Sequence, residues 1–229
     1  LSAGACSAAE AGLPPAERAW AMLSLMTGVA LASLDTAIAN TALPSMAAQL
    51  HATPAASVWI VNAYQLAMVA TLLPFAALGE IAGYRRVALS GLVLFTLASL
   101  GCALAWSLPA LVAARLLQGL GASAMMAVST ALIRAIYPPE RQGQGFGTNA
   151  LVVAVAFAVG PTAASLILSL ASWPWLFAIN VPLGLLALGA ASQALPQTPR
   201  EAHRLDALAA LYNVGAFGLT ILALGDAAH

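Results

Sequence analysis

The sequence predicts an all-α integral membrane protein, and three observations lead there. Of its 229 residues 62% are hydrophobic and only 7% are charged, whereas soluble domains average about 25% charged. Apolar runs of spanning length recur along the chain, since about 20 apolar residues in helix cross roughly 30 Å of hydrocarbon. Arginines fall in alternate loops, as expected of a chain threaded back and forth through a bilayer.

The same composition excludes other classes. Net charge is zero and the basic residues are dispersed, so there is no patch suited to nucleic acid. Cys6 sits in a terminal stretch and Cys102 in an apolar run, too far apart in context for a disulfide or metal framework. The histidines, His51, His203 and His229, stand in separate loops or at the end. No enzyme constellation, cofactor or metal site is expected. The lipid bilayer is the first partner.

Taken in order, residues 1–19 begin as an Ala, Gly, Ser and Pro stretch with little to bury, read as a flexible cytoplasmic tail. Spans follow near Trp20 to Leu43, Val58 to Gly79, Val87 to Trp106, Leu108 to Ile133, Ala150 to Leu170 and Trp175 to Leu195. Pro44, Pro54, Gly83, Pro109, Pro138-Pro139 and Pro174 mark the breaks between them. Residues 20–195 thus form a six-helix bundle. Residues 196–206, opening on Pro196 and Pro199, read as a cytoplasmic linker, and residues 207–229 as a seventh transmembrane helix.

Orientation follows from arginine, because the chain has no Lys. Arg18, Arg85, Arg86, Arg134, Arg141, Arg200 and Arg204 all fall in loops on one face, and the opposite loops around His51, Ser107 and Ser172 have none. The positive-inside rule therefore puts the N-terminus in the cytoplasm. Trp59, Trp106, Trp173 and Trp175 are expected at the outer boundary and Trp20 at the inner one.

Two ionisable groups remain well inside the spans. Asp35 lies in the first, roughly 12 Å below Leu43, and Arg115 in the fourth, roughly 10 Å below Leu108, at 1.5 Å per residue. They are opposite in sign and similar in depth, so they are expected to meet, directly or through water or a hydroxyl. Intramembrane charges usually face a bundle interior or wet cavity and mark a substrate, ion or proton path; a structural ion pair is the alternative. Small residues share their faces: Gly28, Ala32 and Ala39 beside Asp35, then Gly119, Ala122, Met126 and Ser129 beside Arg115. Such faces suit close helix packing or room for a substrate, and spacing alone separates neither. Asn40, Asn62, Gln65, Gln118 and Met126 are the candidate cavity-lining residues. In the fifth span Gly160-Pro161 interrupts a small-residue strip, a site for a kink or a static bend.

These residues resemble the major facilitator superfamily, and within it the fourteen-helix drug:proton antiporters. Leu34-Asp35-Thr36-Ala37-Ile38-Ala39-Asn40-Thr41-Ala42-Leu43-Pro44 is similar to the first-helix signature of that branch, with Ala37 where Thr is usual. Gly79-Glu80-Ile81-Ala82-Gly83-Tyr84-Arg85-Arg86 resembles the loop between helices two and three, with Glu80 for Asp. Arg115-Leu116-Leu117-Gln118-Gly119-Leu120-Gly121-Ala122 resembles the proton-transfer motif of helix four. Gly160-Pro161 resembles the antiporter motif of helix five, with Ala156, Ala164 and Ser165 where Gly is customary. The run from Trp173 to Gly184 resembles the start of helix six. Five motifs stand in the family's order on the matching helices.

The resemblance implies a bundle of two three-helix repeats, the N-terminal portion of an alternating-access transporter in the cell inner (plasma) membrane. It implies proton coupling at Asp35 and Arg115, a small lipophilic cationic substrate, protons as the coupled ion, and a conformational latch at Glu80, Arg85 and Arg86. It also implies a missing C-terminal half as partner. A non-transporting receptor or assembly subunit, and a facilitator or importer of neutral metabolites, are the competing readings. Only the transporter needs the Asp35 and Arg115 pair to exchange a proton.

Overall fold

The computed structural model describes residues 12–198 and Gly215. Residues 1–11, 199–206 and, apart from Gly215, the expected seventh span lie outside the described residues. Six helices among the described residues are long and apolar enough to cross a membrane. They are Pro15–Gln49, Pro54–Ala82, Tyr84–Ala103, Leu108–Ile136, Pro139–Leu170 and Pro174–Ala194.

The first span is longer than expected at both ends. Pro15 fits the first turn, where its missing N–H costs no bond and its fixed φ suits a helix, and Glu17 adds a favourable charge to that turn. Residues 12–19, expected as part of a flexible tail, are instead tied down. The Leu13 N–H donates to the Ile136 carbonyl at 3.0 Å, Arg18 Nη2 donates to the Leu13 carbonyl at 2.8 Å, and the Arg18 guanidinium lies 5.4 Å from the centre of the Tyr137 ring. At the other end the helix runs through Pro44, expected to break it, to Gln49. A proline there frees only the carbonyl four residues back, that of Asn40, which is exposed.

The second span opens with the short turn Pro54–Ser57, capped by Thr53 Oγ1 accepting from the Ala56 N–H at 3.2 Å, and continues as Trp59–Ala82. Gly83 then turns the chain at φ 94°, a left-handed value that a side chain disfavours. The third span follows at once, three residues earlier than expected at each end. Ser107 caps the fourth. The fifth, preceded by a 3₁₀ turn at Pro139–Arg141, begins at Gln142 rather than Ala150. Its first residues are weak helix formers, but Phe146 packs on the core and Gly145 lies against Ile133 and Tyr137. The sixth is in two pieces, Pro174–Ala178 and Asn180–Ala194, with Ile179 between them.

The first span is the most enclosed of the six; the second and fifth are the least. The fourth packs on the second and third, the first on the fifth and sixth, and the third on the sixth. Side chains fill two apolar clusters. One, at the arginine-bearing end, includes Leu25, Val29, Leu92, Phe95, Leu132 and Ile136. The other, at the His51 end, includes Ile38, Met46, Ile60, Leu111, Trp173 and Phe177. Trp173 is therefore not an interfacial aromatic: it is 3% exposed and meets the Phe177 ring edge-on at 6.2 Å. Trp20, Trp59, Trp106 and Trp175 are exposed.

Candidate functional site

Between the two apolar clusters every packed span but the fifth contributes a group to one polar knot. Along the first span the clusters use residues up to Ala32 and from Ile38, leaving Asp35 between them; on the fourth the gap holds Arg115 and Gln118, on the third Ser99, and on the sixth Asn180. All five side chains are 2% exposed or less. The expected pair is direct: Arg115 Nη1 lies 2.5 Å from Asp35 Oδ2.

Most of the remaining polar positions are matched, but Arg115 Nη2 is buried without a hydrogen-bond partner. Gln118 Nε2 donates to Asp35 Oδ1 and to Ser99 Oγ, both at 2.9 Å. Its Oε1 accepts from Arg115 Nη1 at 2.6 Å and from the Cys102 thiol at 3.5 Å. Asn180 Nδ2 donates to Asp35 Oδ1 at 2.8 Å. Arg115 Nε donates to the Ile60 carbonyl at 3.1 Å, and the guanidinium lies 4.2 Å from the centre of the Tyr64 ring and 5.6 Å from that of Phe177. Tyr64 is held in turn by its hydroxyl donating to the Ala32 carbonyl at 3.2 Å.

Asp35 therefore accepts three hydrogen bonds and one full countercharge inside an apolar bundle. Stripping a carboxylate of water costs several kcal/mol, and only good pairing with further hydrogen bonds offsets that. Here charge and bonding are both supplied. Chemically, the site can change state in one simple way: proton uptake at Asp35 would neutralise the carboxylate and leave the guanidinium, which keeps its charge at any working pH.

The other candidate residues fall elsewhere. Gln118, expected to line a cavity, is instead fully buried as a bridge between Asp35, Arg115 and the third span. Its place one turn from Arg115, on the same face, is what carries it inward. Asn40 is exposed and donates to the Thr36 carbonyl of its own helix. Gln65 is exposed and Asn62 half-buried, neither in the knot. Met126 does line a cleft of about 390 Å³, with Val29, Met68, Leu72 and Asn149. That cleft lies toward the arginine-bearing end, and Asp35 is not among its lining residues.

Glu80 and Arg86 are exposed. Among the described residues the one ion pair is Arg115 with Asp35, so Glu80 is paired with neither arginine. Arg85 donates to the Ser192 carbonyl, and the Tyr84 N–H to Thr198 Oγ1 at 3.0 Å, fastening this turn to the end of the sixth span. Gly160 faces Ala37, where an added Cβ would collide with the Ala37 methyl, and the fifth helix continues through Pro161.

Sequence reasoning missed Asn180, Ser99, Cys102 and Tyr64. Asn180 had the clearest signal, as an amide in the otherwise apolar run Trp175 to Leu188.

A family profile described as Major Facilitator Superfamily matches residues 25–225. The chain belongs to that superfamily. It is 52% identical over 95% of its length to the "Uncharacterized transporter YebQ" of Escherichia coli (strain K12), covering 48% of that protein. It is 36% identical over 85% of its length to the "Putative multidrug resistance protein MdtD" of Escherichia coli O1:K1 / APEC, covering 41% of it. The chain thus spans about half the length of these curated relatives. A crystal structure of the peptide transporter POT in complex with sulfate superposes with a TM-score of 0.71 at 15% identity, over 88% of this chain and 45% of that one. That likeness is one of fold. As a major facilitator chain with six spanning helices among its described residues, it is a multi-pass membrane protein of a transporter family.

Proposed function

We propose that the chain forms the N-terminal half of a proton-coupled secondary transporter, which exports lipophilic cationic compounds by alternating access together with a C-terminal half. The observation that carries this reading is the Asp35 and Arg115 pair, buried at mid-depth, bonded to the second and sixth spans and linked through Gln118 to the third. Ionisable groups so placed in a membrane span are rare and usually mark a substrate, ion or proton path. Opening the bundle to opposite sides changes the hydration and pairing of Asp35, and with them its hold on a proton. Proton and substrate then favour opposite orientations. The similarity to MdtD, whose name calls it a putative multidrug resistance protein, supports drug export.

The N-terminus lies in the cytoplasm of the inner membrane in this reading. Arg18, Arg85, Arg86, Arg134 and Arg141 at one end of the bundle support that orientation. Glu80, exposed and free of an ion pair among the described residues, serves with Arg86 as the latch toward the second half.

The deciding experiment is Asp35→Asn in the full-length protein reconstituted into liposomes. The substitution keeps size and one acceptor but removes the titrating proton. Proton-gradient-driven efflux should be abolished, with insertion and folding retained. Efflux at near wild-type rates would make Asp35 a packing residue and refute the reading.

A further inference from the structure

We infer that Asn180 is the positioning residue through which the sixth span reads the protonation state of Asp35. This rests on the proton-coupling reading above and goes beyond it by naming the group that responds. An ionised carboxylate only accepts hydrogen bonds, whereas a protonated one must also donate. In this structure all three side chains bound to Asp35 donate to it. When Asp35 takes a proton, its new O–H needs an acceptor, and one of the three must change.

Arg115 has no acceptor to offer. Gln118 has a carbonyl, but Arg115 and Cys102 already donate to it, and its amide is committed to Asp35 and Ser99. Turning it over would break those bonds and set its N–H groups against the guanidinium. Asn180 is different: its one side-chain hydrogen bond is to Asp35 Oδ1. Half a turn about its terminal torsion replaces N–H···O with O···H–O, and no other bond breaks. The proton comes from the medium and resides on Oδ1.

The backbone makes that change matter. Asn180 is the first residue of Asn180–Ala194, immediately after the interruption at Ile179, and a turn later Gly184 rests on Thr96 of the third span. The remaining titratable groups facing Asp35 are Arg115 from the fourth span, Tyr64 from the second and Cys102 from the third. From Gln142 to Leu170 and from Pro174 to Ala194 no side chain is ionisable, so the sixth span can sense the proton only through an uncharged dipole.

The test compares Asn180→Thr with Asn180→Val in the full-length protein, two side chains of one shape of which only Thr both donates and accepts. A bond to a charged acceptor is roughly twice as strong as a neutral one, so losing it disfavours ionised Asp35 by about fivefold. The pH midpoint of transport should rise by about 0.7 unit in the Val variant, and by less than half of that in the Thr variant. Equal midpoints in Val, Thr and wild type would make Asn180 a packing amide and overturn the inference. Equal shifts in Val and Thr would do the same.

Infrared difference spectra of wild-type protein with isotope-labelled asparagine need neither variant to fold. A protonated-carboxyl band, absent from Asp35→Asn, should appear on acidification together with a shift of the side-chain amide band. The carboxyl band without the amide shift overturns the role of Asn180 alone. No such carboxyl band overturns the coupling reading as well.

Discussion

Removing the two members of the buried pair one at a time should give unequal costs that respond differently to pH. Asp35→Leu strands a guanidinium that cannot shed its charge. It keeps the Ile60 carbonyl, Gln118 Oε1 and the Tyr64 ring, but breaking a buried pair costs about 3–5 kcal/mol, and this should be flat from pH 5 to pH 7. Arg115→Leu strands a carboxylate, which escapes by binding a proton. Neutralising a carboxyl of ordinary pKa, about 3.9, costs about 1.36 kcal/mol per pH unit above that value. The ceiling is therefore about 4 kcal/mol at pH 7 and about 1.5 kcal/mol at pH 5. The sign follows from proton counting: the folded variant holds a proton that the unfolded chain has released, so its stability falls as pH rises. The double variant, with no stranded charge, should cost less than the sum of the two. Denaturant unfolding in detergent, followed by tryptophan fluorescence, reads all four proteins; Trp173, buried against Phe177, reports on the same region. If the Arg115→Leu cost is the same at both pH values, or the singles add within about 0.5 kcal/mol, the pair is not energetically coupled.

Three further outcomes are expected. Gly119→Leu should lower stability by about 1–3 kcal/mol or more, because an added Cβ meets the Tyr64 carbonyl and the Ala67 methyl, whereas Gly147→Ala, with nothing within 4 Å, should be neutral or slightly stabilising in thermal melts. With Cys6 replaced, His51→Cys should react with an impermeant maleimide only from outside the cell and Arg141→Cys only from the cytoplasm; labelling of both from outside would reverse the orientation. Glu80→Gln should slow turnover more than it weakens substrate binding, and binding loss with intact cycling would remove the latch assignment.

The spans and the central pair were legible because hydrophobic length and an intramembrane charge are signals that no neighbour can disguise. Helix ends were less so, for reasons visible at single residues. Pro44 looks like a stop but falls where the carbonyl it frees, on Asn40, is exposed. The stretch from Gln142 looks like a loop until Phe146 finds the core. Leu13 looks like tail because its partner, the Ile136 carbonyl, is recognised only once the first and fourth helices are side by side. Polar neutral residues were hardest. Asn40 and Asn180 each follow an apolar residue inside a span, yet one is exposed and the other 1% exposed. The depth and facing of each helix decide between them, and those are tertiary facts.

The placement of the knot also divides the six spans into two kinds. Polar bonds join the first, second, third, fourth and sixth to one another at the level of Asp35, and the third to the sixth again at Arg85. The fifth makes no side-chain hydrogen bond to another span among the described residues; its buried positions are Gly145, Ala156, Gly160 and Ala164. From Ala156 to Ala164 these fall four apart, a smooth seam laid along the first span at Ala37. A seam of small apolar residues holds by contact alone. Its contacts can be remade after a small shift without stranding a polar group, whereas displacement of any other span would leave a donor or a charge unmatched in an apolar interior. The knot therefore ties five helices together around Asp35, and the fifth meets the first, which carries the carboxylate, across the seam at Gly160 and Ala37.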